Sequence, residues 1–260
     1  TKLPSLFETT LGLFTAAKPV GELKPETAHS WEIGASTIRY DLFAAGDRLA
    51  LKLAYFDTRI DDLITRDYRT LSAGLIRNVD QFKVSGMEFQ SSYDSGKLFA
   101  DLSAHYYFKA KTCAPDIAAE RRAYGAQRRN DELANTPNCV DGGFGTSFVN
   151  AQNPPKYSIH STLGFRLFHR RLDTGIRRTY NSGPTHELDK PWNTTGSTGL
   201  QNIYLPTAIY DFYARWQFTP KAEVELVVNN LRNTYYMDTL AMSLMPGPGR
   251  TTRLNFTARF

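Results

Sequence analysis

Apolar and polar residues alternate along much of this chain, and the alternation predicts its secondary structure. Between Leu98 and Phe108 every second residue is leucine, alanine or aromatic, and most of the residues between them are polar. A period of two predicts a β-strand with one apolar and one largely polar face. The same pattern predicts nine strands, at 28–43, 48–58, 79–93, 98–111, 156–168, 172–180, 206–218, 223–229 and 250–260.

The predicted connections alternate between tight turns and long loops. The tight turns fall at 44–47, 94–97, 169–171 and 219–222. The long loops fall at 59–78, 112–155, 181–205 and 230–249. Outer-membrane barrels place short turns at one end and long loops at the other, whereas a soluble sandwich has no reason to do so. We therefore predict an all-β fold, a transmembrane antiparallel β-barrel, in preference to a large soluble β-sandwich or lipocalin-like barrel.

Composition and charge exclude other classes of protein. The mean hydropathy is −0.41, and no window approaches the roughly 18 apolar residues that a transmembrane helix needs. A helical membrane protein is therefore excluded. The formal net charge is +5, without a Lys/Arg-rich arm or stripe, so we expect no nucleic-acid partner. The chain begins without Met and without a recognisable secretory signal, so we expect a processed chain or a fragment.

The chain ends on an alternating strand whose last residue is Phe260. A terminal aromatic residue in this setting resembles the signal read by the outer-membrane barrel assembly machinery. Bacterial single-chain barrels have an even number of strands, and nine strands would leave unpaired backbone edges in lipid. Either residues 9–15 form a tenth strand that closes a small barrel, or the chain is the C-terminal part of a larger one. We favour the second interpretation.

Several short motifs, in order along nearly the whole chain, resemble the barrel of a TonB-dependent outer-membrane receptor. They lie at Leu23–Thr27, Trp31–Gly34, Val84–Glu88, Val228–Tyr236 and Pro246–Arg250, followed by Phe260. The resemblance implies a 22-stranded barrel filled by a plug domain, of which this chain would supply about the last nine strands. Residues 1–27 would be an extracellular segment entering the barrel and residues 28–260 the C-terminal part of its wall. The plug and the segment that contacts TonB would lie upstream.

The resemblance also implies a location and a function. The protein would sit in the lipid of a Gram-negative outer membrane, with extracellular loops and a periplasmic C-terminus. It would take up an iron source actively and would perform no bond chemistry. Pro4–Glu8 and Tyr235–Asp238 resemble haem and haemophore receptors of the HasR type, so haem, alone or delivered by an extracellular carrier protein, is the first expected ligand. A ferric siderophore is the alternative within the family, and a passive porin or a barrel-wall hydrolase would be alternatives outside it.

Histidines and arginines of the long-loop end are the candidate ligand-binding residues. Haem receptors usually carry a histidine between the two motif boxes near the start of this chain, but residues 9–22 contain none. His186, in a long loop, and His29, near a strand start at the same end, are the candidates for a ligand role, because imidazole is a common ligand of haem iron. Alternatively, each is an exposed histidine that makes ordinary hydrogen bonds. Arg121, Arg122, Arg128 and Arg129 could bind carboxylates of haem, a siderophore or an acidic partner. Alternatively, they belong to a solvated helical piece of the loop.

Cys113 and Cys139 are the only cysteines and fall in one predicted loop. In an oxidising compartment two such cysteines predict a disulfide, and closing the loop would contribute roughly 3 kcal/mol in the chain-entropy model. A metal site would need more ligands, and residues 112–155 contain no histidine. We expect no metal site and no intrinsic cofactor. Tyr40, Tyr93, Trp216 and Phe218, near the tight turns, suit an interfacial aromatic girdle.

Overall fold

A computed structural model describes residues 1–5, 18–19, 22–70, 73–142, 154–183, 206–237 and 246–260. Their strands form one sheet, in which nine follow each other in the order β11-β10-β9-β8-β7-β5-β4-β3-β2. All neighbours on this path are antiparallel, while β1 pairs with β4 in parallel and β6 pairs with β5. The elements are β1 (Lys18–Pro19), β2 (Thr27–Tyr40), β3 (Arg48–Thr70), β4 (Ala73–Asp94), β5 (Leu98–Cys113), α1 (Pro115–Arg128), α2 (Asp131–Ala134), β6 (Cys139–Asp141), β7 (Tyr157–Leu167), β8 (Leu172–Asn181), β9 (Thr207–Thr219), β10 (Ala222–Asn229) and β11 (Thr251–Ala258).

The nine predicted strands correspond to the nine strands of this path, but one predicted loop is wrong. Residues 59–78 are predicted as one of the long loops. Instead β3 continues to Thr70, and β4 begins at Ala73 and pairs with it. The charged and polar residues pair within this hairpin: Arg59 and Gln81 both donate to the Asp61 carboxylate, at 2.8–3.0 Å. The Arg59–Asp61 pair within β3 and the cross-strand bond from Gln81 thus stabilise a hairpin that lacks a long apolar run.

The first predicted strand ends earlier than expected, because residues 41–47 form a turn around one carboxylate. The Asp47 side chain is fully buried and accepts backbone N–H bonds from Leu42, Phe43 and Ala44 at 2.8–3.0 Å. Tyr93 on β4 donates its hydroxyl to the same carboxylate at 3.1 Å. The turn is therefore fixed both to itself and to the neighbouring strand.

The sheet has one apolar and one polar face, and the polar face is concave. A hollow on the polar face is lined by residues from five neighbouring strands, among them Lys52, Gln90, Asp101 and His160. The opposite face exposes large apolar side chains, including Ile33 (66% exposed), Leu254 (71%) and Phe256 (69%). An apolar face of this extent marks an interaction surface rather than the outside of a soluble domain. Neither described helix is long and apolar enough to span a membrane.

Aromatic side chains border the apolar face at both ends. At the tight-turn end Phe43 contacts Tyr93, and Trp216 contacts both Phe168 and Phe218, with ring centroids 5.4–6.5 Å apart. At the other end a chain of ring contacts at 5.2–6.4 Å crosses six strands, five of which contribute rings: Trp31, Tyr55, Phe108, Tyr106, Tyr157 and Tyr180. We call this second row the long-loop belt. Trp216 pairs with Leu172, eight residues before Tyr180 on β8. The two aromatic rows are therefore about 27 Å apart along the strand. For strands tilted by about 40°, this corresponds to about 20 Å along the membrane normal, close to the height of a bilayer's apolar band.

Candidate functional site

The β3–β4 hairpin projects beyond its neighbour at the long-loop end. β2 pairs with β3 only as far as Asp61, whereas the pairing of β3 with β4 continues from Leu63 to Thr70. β1 adds a short parallel pairing to this part of β4, opposite Leu75 and Ile76. The projecting hairpin forms one side of the candidate site.

Helix α1 packs against the base of this projection. Pro115 is at its start and Asp116 in its first turn, both favourable positions at a helix N-terminus. Val79 of β4, Ala114, Ile117 and Ala118 are buried together, and Leu63 and Val140 pack around them. The loop between β5 and β7 thus begins as a folded unit with a small core of its own. We call the assembly of α1, α2, β6 and the projecting hairpin the platform.

Arg77 binds the helix to the hairpin electrostatically. Its side chain is 6% exposed, and Nη2 donates to Asp116 Oδ2 at 2.7 Å and to Glu120 Oε1 at 3.2 Å. Asp116 and Glu120 lie one helical turn apart on α1, so a single guanidinium binds both. Arg77 falls in the region predicted to be a loop, so its contact with the helix could not be predicted from the sequence.

The predicted disulfide between Cys113 and Cys139 is confirmed and closes the platform at its base. The two cysteines are register partners of β5 and β6, with their Cα atoms 4.0 Å apart. Thr112 pairs with Val140 and Lys111 with Asp141 in the same short ladder. The bond therefore joins the two ends of the helical segment.

The four candidate arginines do not share one surface. Arg121 is buried, and Arg122 donates to the Thr136 carbonyl at 2.7 Å and to Asn138 Oδ1 at 3.0 Å. Arg128 lies over the Tyr124 ring at 5.5 Å, and Arg129 ends the helix in the left-handed conformation, with φ of 53°. Arg128 and Arg129 are both exposed. Of the four, these two are placed to meet a ligand from solution.

A tight contact between α1 and α2 holds the exposed end of the helix. Gly125 faces the second helix, where an added Cβ would clash with Ala134 N and lie 2.6 Å from Leu133 C. The Asn130 side chain caps α2 by accepting from Leu133 N at 3.0 Å, while its own N–H donates to Gly125 O at 2.9 Å. These contacts fix the direction in which Arg128 and Arg129 leave the helix.

The candidate histidines lie in different places. His29 is exposed on β2 and, by the two-residue period, shares the outward apolar side with Trp31 and Ile33. His186 lies outside the described residues. On the concave face His105 Nδ1 is 3.3 Å from Glu88 Oε1, and His160 Nδ1 is 3.4 Å from Thr179 Oγ1. Within the described part of the chain no three His, Cys, Asp or Glu residues are grouped to hold a metal ion.

The architecture corresponds to a known family. A family model described as "TonB dependent receptor-like, beta-barrel" matches residues 2–231. The chain belongs to this family of TonB-dependent receptor barrels. Its concave face is accordingly the barrel lumen and its apolar face the side turned toward lipid. The prediction of a membrane β-barrel is thereby confirmed.

Three similar proteins illustrate the match. The chain is 33% identical over 267 residues to the hemophilin receptor of Acinetobacter baumannii, covering 100% of this chain and 25% of that protein. The structure of the Serratia marcescens hemophore receptor HasR, in complex with its hemophore HasA and heme, matches with 24% identity and a TM-score of 0.62, over 94% of this chain and 33% of HasR. The copper transporter OprC matches with 17% identity and a TM-score of 0.64, over 100% of this chain and 35% of that one.

These matches identify the fold of the chain but not the substance that the receptor carries. The chain spans about a quarter of the length of the hemophilin receptor and about a third of each structure. The two structures are a hemophore receptor and a copper transporter, so the shared barrel alone does not select what is carried. The cargo depends on features beyond the shared barrel, such as the platform.

Proposed function

We propose that this chain is part of the wall of an outer-membrane receptor that takes up haem, free or delivered by a carrier protein, in a TonB-dependent manner. The observation that carries the proposal is the 33% identity to a hemophilin receptor along the whole chain. In this orientation the long-loop end faces the outside of the cell, and the tight turns and Phe260 face the periplasm. The plug and the TonB-contacting segment belong to other parts of the receptor.

The platform supports a role in capture. Its helix is held by the Arg77 ion pairs, the buried contacts around Ile117 and the disulfide. A surface that is already ordered loses less conformational entropy when a partner binds. The platform therefore presents Arg128 and Arg129 in a preorganised form, and their guanidinium groups suit the propionates of haem or carboxylates on a carrier.

The transport itself needs no bond chemistry from this chain. Captured haem would pass through the barrel when TonB rearranges the plug, with His186 and His29 as the proposed iron ligands at the entrance. His29 is on the lipid-facing side of β2 above Trp31, so it would have to bind from the rim of the barrel rather than from its lumen.

Haem titration of the full-length receptor, followed in the Soret region, tests the proposal. We expect a Soret shift on addition of haem, which weakens when His186 or His29 is replaced by alanine. His169→Ala is the matched control, because His169 lies in the tight turn at the opposite end of the barrel. An absent shift, together with tight binding of a ferric siderophore, would replace haem by a siderophore as the cargo.

A further inference from the structure

Three cationic side chains lie over aromatic rings on the lipid-facing side of the barrel, at the level of the long-loop belt. In each pair the charged group lies 5.1–5.9 Å from the centroid of a tyrosine ring, within the range of a cation–π contact. The pairs are Lys156 over Tyr106, Arg178 over Tyr180 and Arg232 over Tyr210. We call these six residues the cationic strip.

The pairs form one continuous surface. Tyr106 on β5 is the register partner of Tyr157 on β7, whose ring lies 5.6 Å from that of Tyr180 on β8. Arg178 is in turn the register partner of Tyr210 on β9. With neighbouring strands about 4.8 Å apart, the strip extends about 14 Å around the barrel. This width suits a lipid headgroup with more than one charged group.

Arg178 is the residue that most needs an external partner. It lies within β8 and alternates with Arg177 and Thr179, which point to the lumen. Its Nε atom is buried and has no hydrogen-bond acceptor among the described residues, so the protein does not neutralise this guanidinium there. An arginine on the lipid side is tolerated only near the interface. At that level an anionic headgroup would contact the accessible part of the guanidinium group.

The described residues provide no negative charge on this surface. The outward positions of β7, β8 and β9 carry no aspartate or glutamate. Asp211, beside Tyr210 in sequence, points to the other face, and its carboxylate accepts from Asn230 N at 2.8 Å. The positive charge of the strip is therefore uncompensated by the described side chains around it.

We propose that the cationic strip binds the phosphate groups of lipopolysaccharide, the phosphorylated glycolipid of the outer leaflet. A phosphate oxygen accepts charge-assisted hydrogen bonds from guanidinium groups, and the tyrosine rings lie at the depth where the sugar headgroup meets the acyl chains. The inference rests on the membrane orientation in the proposed function, with the long-loop end outside. It does not depend on the cargo.

Binding of a diphosphorylated lipid A to the full-length receptor in detergent, followed by native mass spectrometry, tests the inference. The comparison lipids are the same glycolipid without phosphates and phosphatidylglycerol, an anionic lipid of another class. We expect the diphosphorylated glycolipid to bind most tightly. Each cation removed near a membrane surface should weaken binding about fivefold, because each contributes on the order of 1 kcal/mol.

Arg178→Gln and the triple variant with Lys156→Gln and Arg232→Gln are the test proteins. Arg177→Gln is the matched control, because Arg177 makes an equivalent contact, 4.7 Å from the Tyr213 ring, on the lumen side. The expected result is a loss of lipid A binding in the test proteins and none in the control, with the unheated folded form of each protein present on gels.

Equal binding of lipid A by the triple variant and the native receptor would overturn the inference, as would equal binding of the dephosphorylated glycolipid. Preference for phosphatidylglycerol would overturn the assignment to lipopolysaccharide. Haem binding is measured in the separate Soret titration. A receptor that binds lipid A through the strip but does not bind haem would overturn the proposed cargo and leave this inference intact.

Discussion

Arg77 of β4 and Asp116 of α1, 39 positions apart in the chain, meet in a 2.7 Å ion pair. The guanidinium is buried at 6% exposure, whereas the aspartate side chain is 52% exposed. The pair therefore lies at the edge of the contact between strand and helix, where water weakens it. Its main effect is to fix the position of the helix on the hairpin.

Replacing Arg77 by alanine should loosen α1 without unfolding the barrel. Hydrogen bonds to charged groups contribute about 1.5–3 kcal/mol to stability. Because the two carboxylates are partly exposed, we expect the Arg77 contacts to contribute about 1.5 kcal/mol or less. We expect amide hydrogens of α1 to exchange up to about tenfold faster, measured by hydrogen–deuterium exchange. Arg59→Ala is the control, because Arg59 pairs with Asp61 on the same hairpin away from α1. Unchanged protection of α1 in the Arg77 variant would contradict the proposed role.

Opening the disulfide should expose the helical segment to proteolysis. In the chain-entropy model a closed loop of this size contributes roughly 3 kcal/mol, and the bond spans 26 positions. We expect trypsin to cleave at Arg128 and Arg129 faster after reduction, or in the Cys113→Ser/Cys139→Ser variant. The double variant is the control for other effects of the reductant, because the reductant should not change the rate at which this variant is cleaved. If reduction left the native protein's cleavage pattern unaltered, the bond would not hold the platform together.

The alternation of residues was sufficient to predict the strands but not the platform. A period of two reports directly which face of a strand meets lipid, so the strand around Leu98 was predicted closely. The projecting hairpin was missed because residues 59–78 do not alternate clearly, and the pairing of β3 with β4 from Leu63 to Thr70 is a contact between strands that a single segment does not show. The disulfide was predictable because the chain contains only two cysteines.

The division of the four arginines could not be predicted from their spacing. Arg121 and Arg122 are adjacent in sequence, yet one enters the platform's interior and the other bonds to the segment that returns from α2. These directions depend on how α1 is rotated against β4, which is set by tertiary contacts such as Ile117 against Val79. The sequence identifies the segment that carries the arginines, and packing determines which of their side chains remain exposed.

Gly125→Ala should destabilise the platform, although alanine is the better helix former. At an ordinary helix position this change would stabilise the helix by up to about 1 kcal/mol. Here the added Cβ would lie 2.6 Å from Leu133 C, and overpacking costs about 1–3 kcal/mol. We therefore expect a net loss, seen as faster hydrogen exchange in α1 and α2. Gln127→Ala, at an exposed position of the same helix, is the control and should be close to neutral.

The turn at residues 41–47 should weaken in acid, because it is organised by the ionised Asp47. Burial raises the pKa of this carboxyl, but the hydrogen bonds from Leu42, Phe43, Ala44 and Tyr93 outweigh burial and hold the pKa below its usual value. A lowered native pKa gives stability that is present above the unfolded value of about 3.9 and is lost as the pH falls through the native value. Asp47→Asn removes the charge at every pH.

We therefore expect the native turn to be more protected than the Asp47→Asn turn at pH 7, with the difference disappearing once the pH is below the native pKa. Hydrogen exchange of residues 41–47, corrected at each pH with an unstructured reference peptide, measures this. The turn between β7 and β8 is the internal control, since no aspartate or glutamate lies in residues 168–171. A protection difference that stayed constant from pH 7 into strong acid would show that the charge of Asp47 does not organise the turn.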